Sequence, residues 1–145
     1  MPTPSTSAND WSPDVVIYTD GAVDSDGTTA IGYLLETTGG ETIAEESYTL
    51  DEEKPSHVAE YIAVLRAVAA AEKHGYTDPV IYTDYQSIVE HVFGEASPDN
   101  EVCNSIREKL IGLLKTDFDR WMLEWLPRDK NERAHDLASS AAVAA

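Results

Sequence analysis

Two identical pentapeptides, "VIYTD" at Val16–Asp20 and again at Val80–Asp84, constrain this chain more than any other feature. Each is a β-branched and aromatic run of strand character that ends on an aspartate. The residues after each copy differ completely, "GAVDSDGTTAIGY" after the first and "YQSIVEHVFGEAS" after the second, so the chain is not a duplicated unit. The copies instead predict two strands of one sheet, each delivering a carboxylate to one place.

The segments around them supply the rest of the sheet. "DVVIYTDGAV" and "TTAIGYLLE" read as strands joined by the turn "DSDG", and after "TTGGET" the run "TIAEESYTL" alternates like a third, partly exposed strand. The period then changes. Val58, Ile62, Leu65 and Ala69 recur at helical spacing, with Ser56 as the expected N-cap and Gly75 as the stop. The strand "PVIYTD" comes next, then helices near 86–92 and 101–115, the strand "RWMLEWL", and a helix over 132–144. The order β-β-β-α-β-α-α-β-α is neither strict βαβ alternation nor all-β. It predicts an α/β fold with a mixed sheet flanked by helices.

A length of 145 residues fits one domain with its own core. Residues 1–13 are rich in Ser, Thr and Pro and read as a flexible leader, which leaves 14–145 as the folded domain. The lone cysteine, Cys103, forms no intramolecular disulfide, and the leader lacks the apolar stretch of a secretory signal; a cytoplasmic location is expected. No apolar run approaches the ~20 residues a membrane span requires.

Charge is the strongest compositional signal: 27 acidic against 10 basic side chains, a formal net charge of -17. In dilute salt such a surface repels phosphates, because nucleic-acid binding rests on Lys and Arg. At ~1 M salt the Debye length is about 3 Å, and the same carboxylates keep a protein hydrated without long-range repulsion. The composition therefore points to a halophile; an acidic partner-binding domain is the other class with this bias.

Asp20 and Asp84 each close a strand, and a strand, a crossover helix and a second strand place such ends side by side. Glu60 adds a third carboxylate, flanked by Val58, Ala59, Tyr61 and Ile62 and followed at three and four residues by Ala63 and Val64 rather than by a cation. Three acids in one place raise one another's pKa unless a cation lies between them. Hard oxygen ligands suit Mg²⁺ or Mn²⁺, and two such ions about 4 Å apart support phosphodiester cleavage. An EF-hand alignment of "DGAVDSDG" fails, since it puts Ala22 at the first ligand position and Tyr33 at the last.

"YTDGA", "AEYIAVLRAV", "YTDYQSIVE" and "RDKNERAHDLASSAA", in this order over roughly residues 14–144, resemble type 1 ribonuclease H, in particular its archaeal and reverse-transcriptase-like branch. The resemblance implies a five-stranded mixed sheet with helices on both faces. It further implies metal-dependent endonucleolytic hydrolysis of the RNA strand of RNA–DNA hybrids with two ions, leaving 5'-phosphate and 3'-hydroxyl ends. Double-stranded RNA is a second substrate to be tested, and no obligate protein partner is implied. Asp20, Glu60 and Asp84 match the family's first three metal-binding acids. In the fourth position the family carries an aspartate two residues before a leucine; here His135 holds that register and Asp136 lies one residue later. One residue rotates a helical side chain by about 100°. His135 is therefore the expected fourth catalytic and metal-binding residue, with Asp136 as the alternative.

The resemblance also implies substrate contacts at Gly21, Gln86, Arg128 and Asn131. Ser56 and His57 stand where the family has an Asn pair on the RNA strand, and Tyr85 stands where it often has Ser; these three are expected substrate contacts as well. A catalytically weakened module of the same fold that grips nucleic acid or a protein is the alternative function. A phosphoacceptor signalling domain is disfavoured by the three consecutive hairpin strands.

Overall fold

In the computed structural model, which describes residues 11–98 and 100–144, the elements occur in the expected order. They are β1 Val15–Val23, β2 Thr29–Glu36, β3 Thr42–Thr49, α1 Ser56–Lys73, β4 Pro79–Thr83, α2 Gln86–Val92, α3 Glu101–Asp117, β5 Met122–Trp125 and α4 Glu132–Ala144. A 3-10 turn over Arg128–Lys130 joins β5 to α4. The β1–β2 turn closes on Asp24, whose Oδ1 accepts from the Asp26 and Thr28 amides at 2.9 and 3.1 Å, with Gly27 at φ 86°.

The strand order is β3-β2-β1-β4-β5. β1 pairs antiparallel with β2 and β2 with β3, while β4 runs parallel to both β1 and β5. The two pentapeptides lie side by side in register, Val16 on Val80, Ile17 on Ile81, Tyr18 on Tyr82 and Thr19 on Thr83. Strand alternation then sorts the side chains. Ile17, Ile81 and Leu123 are buried on one face against Val64, Val68 and Leu110 of α1 and α3. Each such side chain contributes roughly 1.5–3 kcal/mol by leaving water. On the opposite face α4 packs over β2, β1 and β3.

α4 is seated by small residues. Ala134, Ala138 and Ala142 are buried at i, i+4 and i+8. They meet β2 at Gly32, where an added Cβ would stand 2.6 Å from the Ala138 amide nitrogen and 2.7 Å from Leu137 Cβ. Glycine is required there by contact, and that contact fixes the rotation of α4.

Three local expectations need correction. Ser56 is not the N-cap of α1 but its first helical residue: Pro55 takes the cap position in extended conformation, φ -61° and ψ 153°, with no side-chain cap hydrogen bond. The Pro55 carbonyl accepts from Val58 and Ala59, which proline allows because it gives up only an N–H. The buried stripe of α1 is also broader than the Val58, Ile62, Leu65, Ala69 spacing, running through Ala59, Ala63, Val64, Ala67 and Val68. Ala69 is exposed. α1 is covered by the sheet and by α3 at once, so more than one stripe is buried. Third, β5 is two residues shorter at its N-terminal end than "RWMLEWL" and one shorter at the other. Of the expected leader, residues 1–10 lie outside the described residues; Trp11 is half-buried and its indole N–H donates to Asp78 Oδ2 at 3.2 Å.

Candidate active site

β1 and β4 end side by side, so Asp20 and Asp84 become neighbours one step past the Thr19–Thr83 pair. Thr19 and Thr83 are both buried and brace the strand ends: Thr19 Oγ1 donates to the Tyr82 carbonyl at 3.0 Å, and Thr83 Oγ1 accepts from the Tyr85 amide at 3.1 Å. Glu60 arrives from α1 because Gly21 lets the helix touch the strand. A Cβ on Gly21 would lie 2.7 Å from the Ala59 carbonyl carbon and from the Glu60 nitrogen. The Gly21 amide donates to Glu60 Oε1 at 3.0 Å and points that carboxyl inward.

Asp20, Glu60 and Asp84 each present an oxygen within 4.8 Å of the other two. Asp20 is wholly buried and Glu60 is 7% exposed. Burial, followed by the charge of Asp84, pushes Asp20 up to about 6. Burial, followed by the charges of Asp20 and Asp84, pushes Glu60 up to about 10. The trio therefore resists full ionisation at neutral pH, and a cation among the three would reverse that. Asp20 Oδ1 is buried with no hydrogen-bond partner. An orphaned carboxylate oxygen beside two more carboxylates is a donor set for a hard divalent cation.

His135 meets Asp20 from α4. Its Nδ1 lies 2.8 Å from Asp20 Oδ2, and its Nε2 lies 3.4 Å from the hydroxyl of Ser139 one turn on. Asp136 points elsewhere: it is exposed and lines a separate groove with Glu45, Arg133 and Leu137. The 100° step between the two residues thus brings His135, not Asp136, to the three acids. Asn131, 1% exposed, ties the entry of α4 to β1 by donating from Nδ2 to the Thr19 carbonyl at 2.8 Å. Arg128, from the 3-10 turn, places Nε 3.4 Å from Asp84 Oδ2 with its side chain two-thirds exposed.

A cavity of about 400 Å³ opens over this group, and Gly21, Ser56, His57, Tyr85, Arg128 and Ser139 line it together with Glu60, Asp84 and His135. Gln86 is exposed at the start of α2 and is not among the lining residues; Asn131 lies beneath the site as a brace and lines a different cavity. A second hollow of about 180 Å³ shares His57 and Tyr85 with the first and adds Tyr61, His91 and Asn100. There the Asn100 amide nitrogen lies 3.1 Å from His57 Nε2. Ser139 is not among the residues that the resemblance assigns to the site; its i+4 spacing from His135 is the sequence signal that places it there.

Residues 18–141 match the family described as Reverse transcriptase-like. The chain is 32% identical over 125 residues to Ribonuclease HI of Halobacterium salinarum, a match that covers 86% of this chain and 62% of that protein's length. The crystal structure of RNase H1 from the same halophilic archaeon superposes with a TM-score of 0.84 at 32% identity, over 90% of this chain and 98% of that one. LC11-RNase H1, solved in complex with an RNA/DNA hybrid, shares the fold with a TM-score of 0.82 at 24% identity, over 90% of this chain and 97% of that one. By its sequence match and by its five-stranded mixed sheet, the chain belongs to the reverse transcriptase-like family of ribonuclease H proteins.

Proposed function

We propose that this protein is a metal-dependent endoribonuclease that hydrolyses the RNA strand of RNA–DNA hybrids and leaves 5'-phosphate and 3'-hydroxyl ends. The observation that carries the reading is the convergence of Asp20, Glu60 and Asp84 within 4.8 Å in a largely buried site. These three, joined by His135, are the residues that would hold two divalent ions, Mg²⁺ or Mn²⁺. Bound there, such ions supply neutralisation of phosphate charge and acidification of a water nucleophile.

The chain's own residues do the rest. Asp20 anchors His135 through Nδ1, which leaves Nε2 facing Ser139 and the cavity, able to hold or pass on a proton. Arg128 offers a cation at the cavity wall of an otherwise acidic protein and suits a phosphate oxygen. Tyr85 presents a ring for stacking, while Ser56 and His57 supply the polar atoms that could read a ribose 2'-hydroxyl. Imidazole in place of a fourth carboxylate favours Mn²⁺ over Mg²⁺. The 27 acids against 10 bases fit action in the salty cytosol of a halophile.

The test is cleavage of RNA–DNA hybrid, double-stranded RNA and single-stranded RNA at ~1 to 3 M KCl, where surface charge is screened, with Mg²⁺ or Mn²⁺. Hybrid cleavage that needs metal and disappears in Asp20→Asn is expected. No cleavage under any condition, with hybrid still bound, would instead establish the weakened binding module. The His135–Asp20 contact in place of a fourth acid is the observation that favours that second reading.

A further inference from the structure

β5 is the outer strand of the sheet and pairs with β4 alone. The Leu126 amide donates inward to the Thr83 carbonyl at 2.8 Å. Backbone alternation then turns the N–H and C=O groups of Leu123 and Trp125 outward, away from β4. Alongside this edge runs a groove of about 620 Å³ between β5 and α2. Its walls include Val89, Phe93 and Trp125, and Phe93 and Trp125 are 40% and 48% exposed. The charged residues that line it are Glu95 and Glu124, both exposed, and no Lys or Arg does. Neither glutamate has an ion-pair partner among the described residues.

Open backbone, exposed aromatics and unpaired carboxylates side by side form a surface for strand addition. We infer that the β5–α2 edge docks an extended segment of a partner protein in which apolar residues alternate with lysine or arginine. Strand alternation sets the pattern. Side chains of one parity lie on Val89, Phe93 and Trp125; those of the other parity lie beside Glu124, which shares its face of β5 with Met122. Nucleic acid does not fit, because its phosphates would face Glu95 and Glu124. A second copy does not fit either, since it would set another Glu124 directly beside the first on the same edge. The chain's own residues 1–10, "MPTPSTSAND", contain no Lys or Arg.

The probes are two synthetic peptides, one of alternating lysine and valine and one of alternating glutamate and valine. Each is titrated into the full-length ¹⁵N-labelled protein in KCl sufficient to keep it folded. The lysine peptide is expected to shift the amides of Phe93, Leu123 and Trp125 and to slow hydrogen exchange at Leu123 and Trp125. Glu124→Lys should weaken it about two- to fivefold, the scale of one exposed ion pair, and admit the glutamate peptide. Phe93→Asp, which also removes the stacking of Phe93 on Trp121 at 5.6 Å between ring centroids, should weaken the lysine peptide while the amides of β1 and β2 keep their wild-type positions. Equal shifts with both peptides, shifts confined to another surface, or no shift would overturn the inference. So would a dimer seen by light scattering with Leu123 and Trp125 already protected, or a hybrid duplex that shifts these amides.

Discussion

Asp20→Asn is the substitution that most directly measures how far the three acids are held together against their own repulsion. In the presence of a chelator the wild-type carboxyl is wholly buried, and burial, followed by the charge of Asp84, moves its ionisation from 3.8 to about 6. That difference corresponds to roughly 3 kcal/mol at pH values above 6. The unfolded chain releases the proton near 3.8 while the folded protein keeps it to about 6. Stability from this group is therefore fully present below about 4 and is lost as pH rises to about 6. Asparagine has the same shape, still offers an oxygen to His135, and can donate to the neighbouring carboxylates, but carries no charge. Allowing ~1 kcal/mol for the weaker, uncharged hydrogen bond to His135, the variant should gain about 2 kcal/mol at pH 7.5. For a chain of this size that is a rise in melting temperature of about 4–8 °C. The assay is thermal and urea unfolding of both proteins in EDTA across pH 4 to 8, at a fixed high KCl concentration so that general repulsion among the acids cancels in the difference. With Mn²⁺ or Mg²⁺ the order should invert, since metal at ~100 times its dissociation constant adds about 2.7 kcal/mol to the wild type only. A variant less stable than wild type in EDTA at pH 7.5 would refute the reasoning. So would a difference between the two proteins that does not change between pH 4 and 6.

Other substitutions probe how the site is positioned. Gly21→Ala puts a Cβ 2.7 Å from backbone of α1, and should cost roughly 1–3 kcal/mol and weaken Mn²⁺ binding measured by calorimetry; unchanged metal affinity would show that the Gly21–Glu60 contact does not set the site. Gly112→Ala is its control: nothing lies within 4 Å of the new Cβ on the exposed face of α3, and a gain of about 0.5–1 kcal/mol is expected in the same melts. His135→Ala should lower hybrid cleavage by at least about tenfold, a loss of ~1.4 kcal/mol in transition-state stabilisation, while Asp136→Ala leaves it unchanged. The reverse pattern in single-turnover assays would mean that α4 turns Asp136 to the acids instead.

Sheet pairing was legible in the sequence because its cause is local. "VIYTD" supplies strand-forming residues and a terminal carboxylate in one stretch, and once β2 and β3 have folded back as hairpins, the crossover through α1 returns the second copy parallel to the first. The N-terminus of α1 lies one residue from where side-chain chemistry puts it, because a serine beside a proline carries the chemistry of a cap, while proline's fixed φ decides which of them takes the position. The fourth site residue depends on causes far apart in the chain. Spacing from the leucine favours His135, but what turns His135 toward Asp20 and Asp136 away is the rotation of α4, fixed by Ala134, Ala138 and Ala142 against Gly32. A glycine about 100 residues upstream thus selects which side chain completes the site, through a contact distance that composition and periodicity do not carry. The same holds for Gly21, which matched a substrate-contact position in the sequence and serves in the fold as the opening through which Glu60 reaches Asp20. Chemistry-bearing side chains are readable one by one. Residues whose contribution is the absence of a Cβ acquire their meaning only when the second element is in place, and here two of them, Gly21 and Gly32, decide where Glu60 and His135 stand beside Asp20.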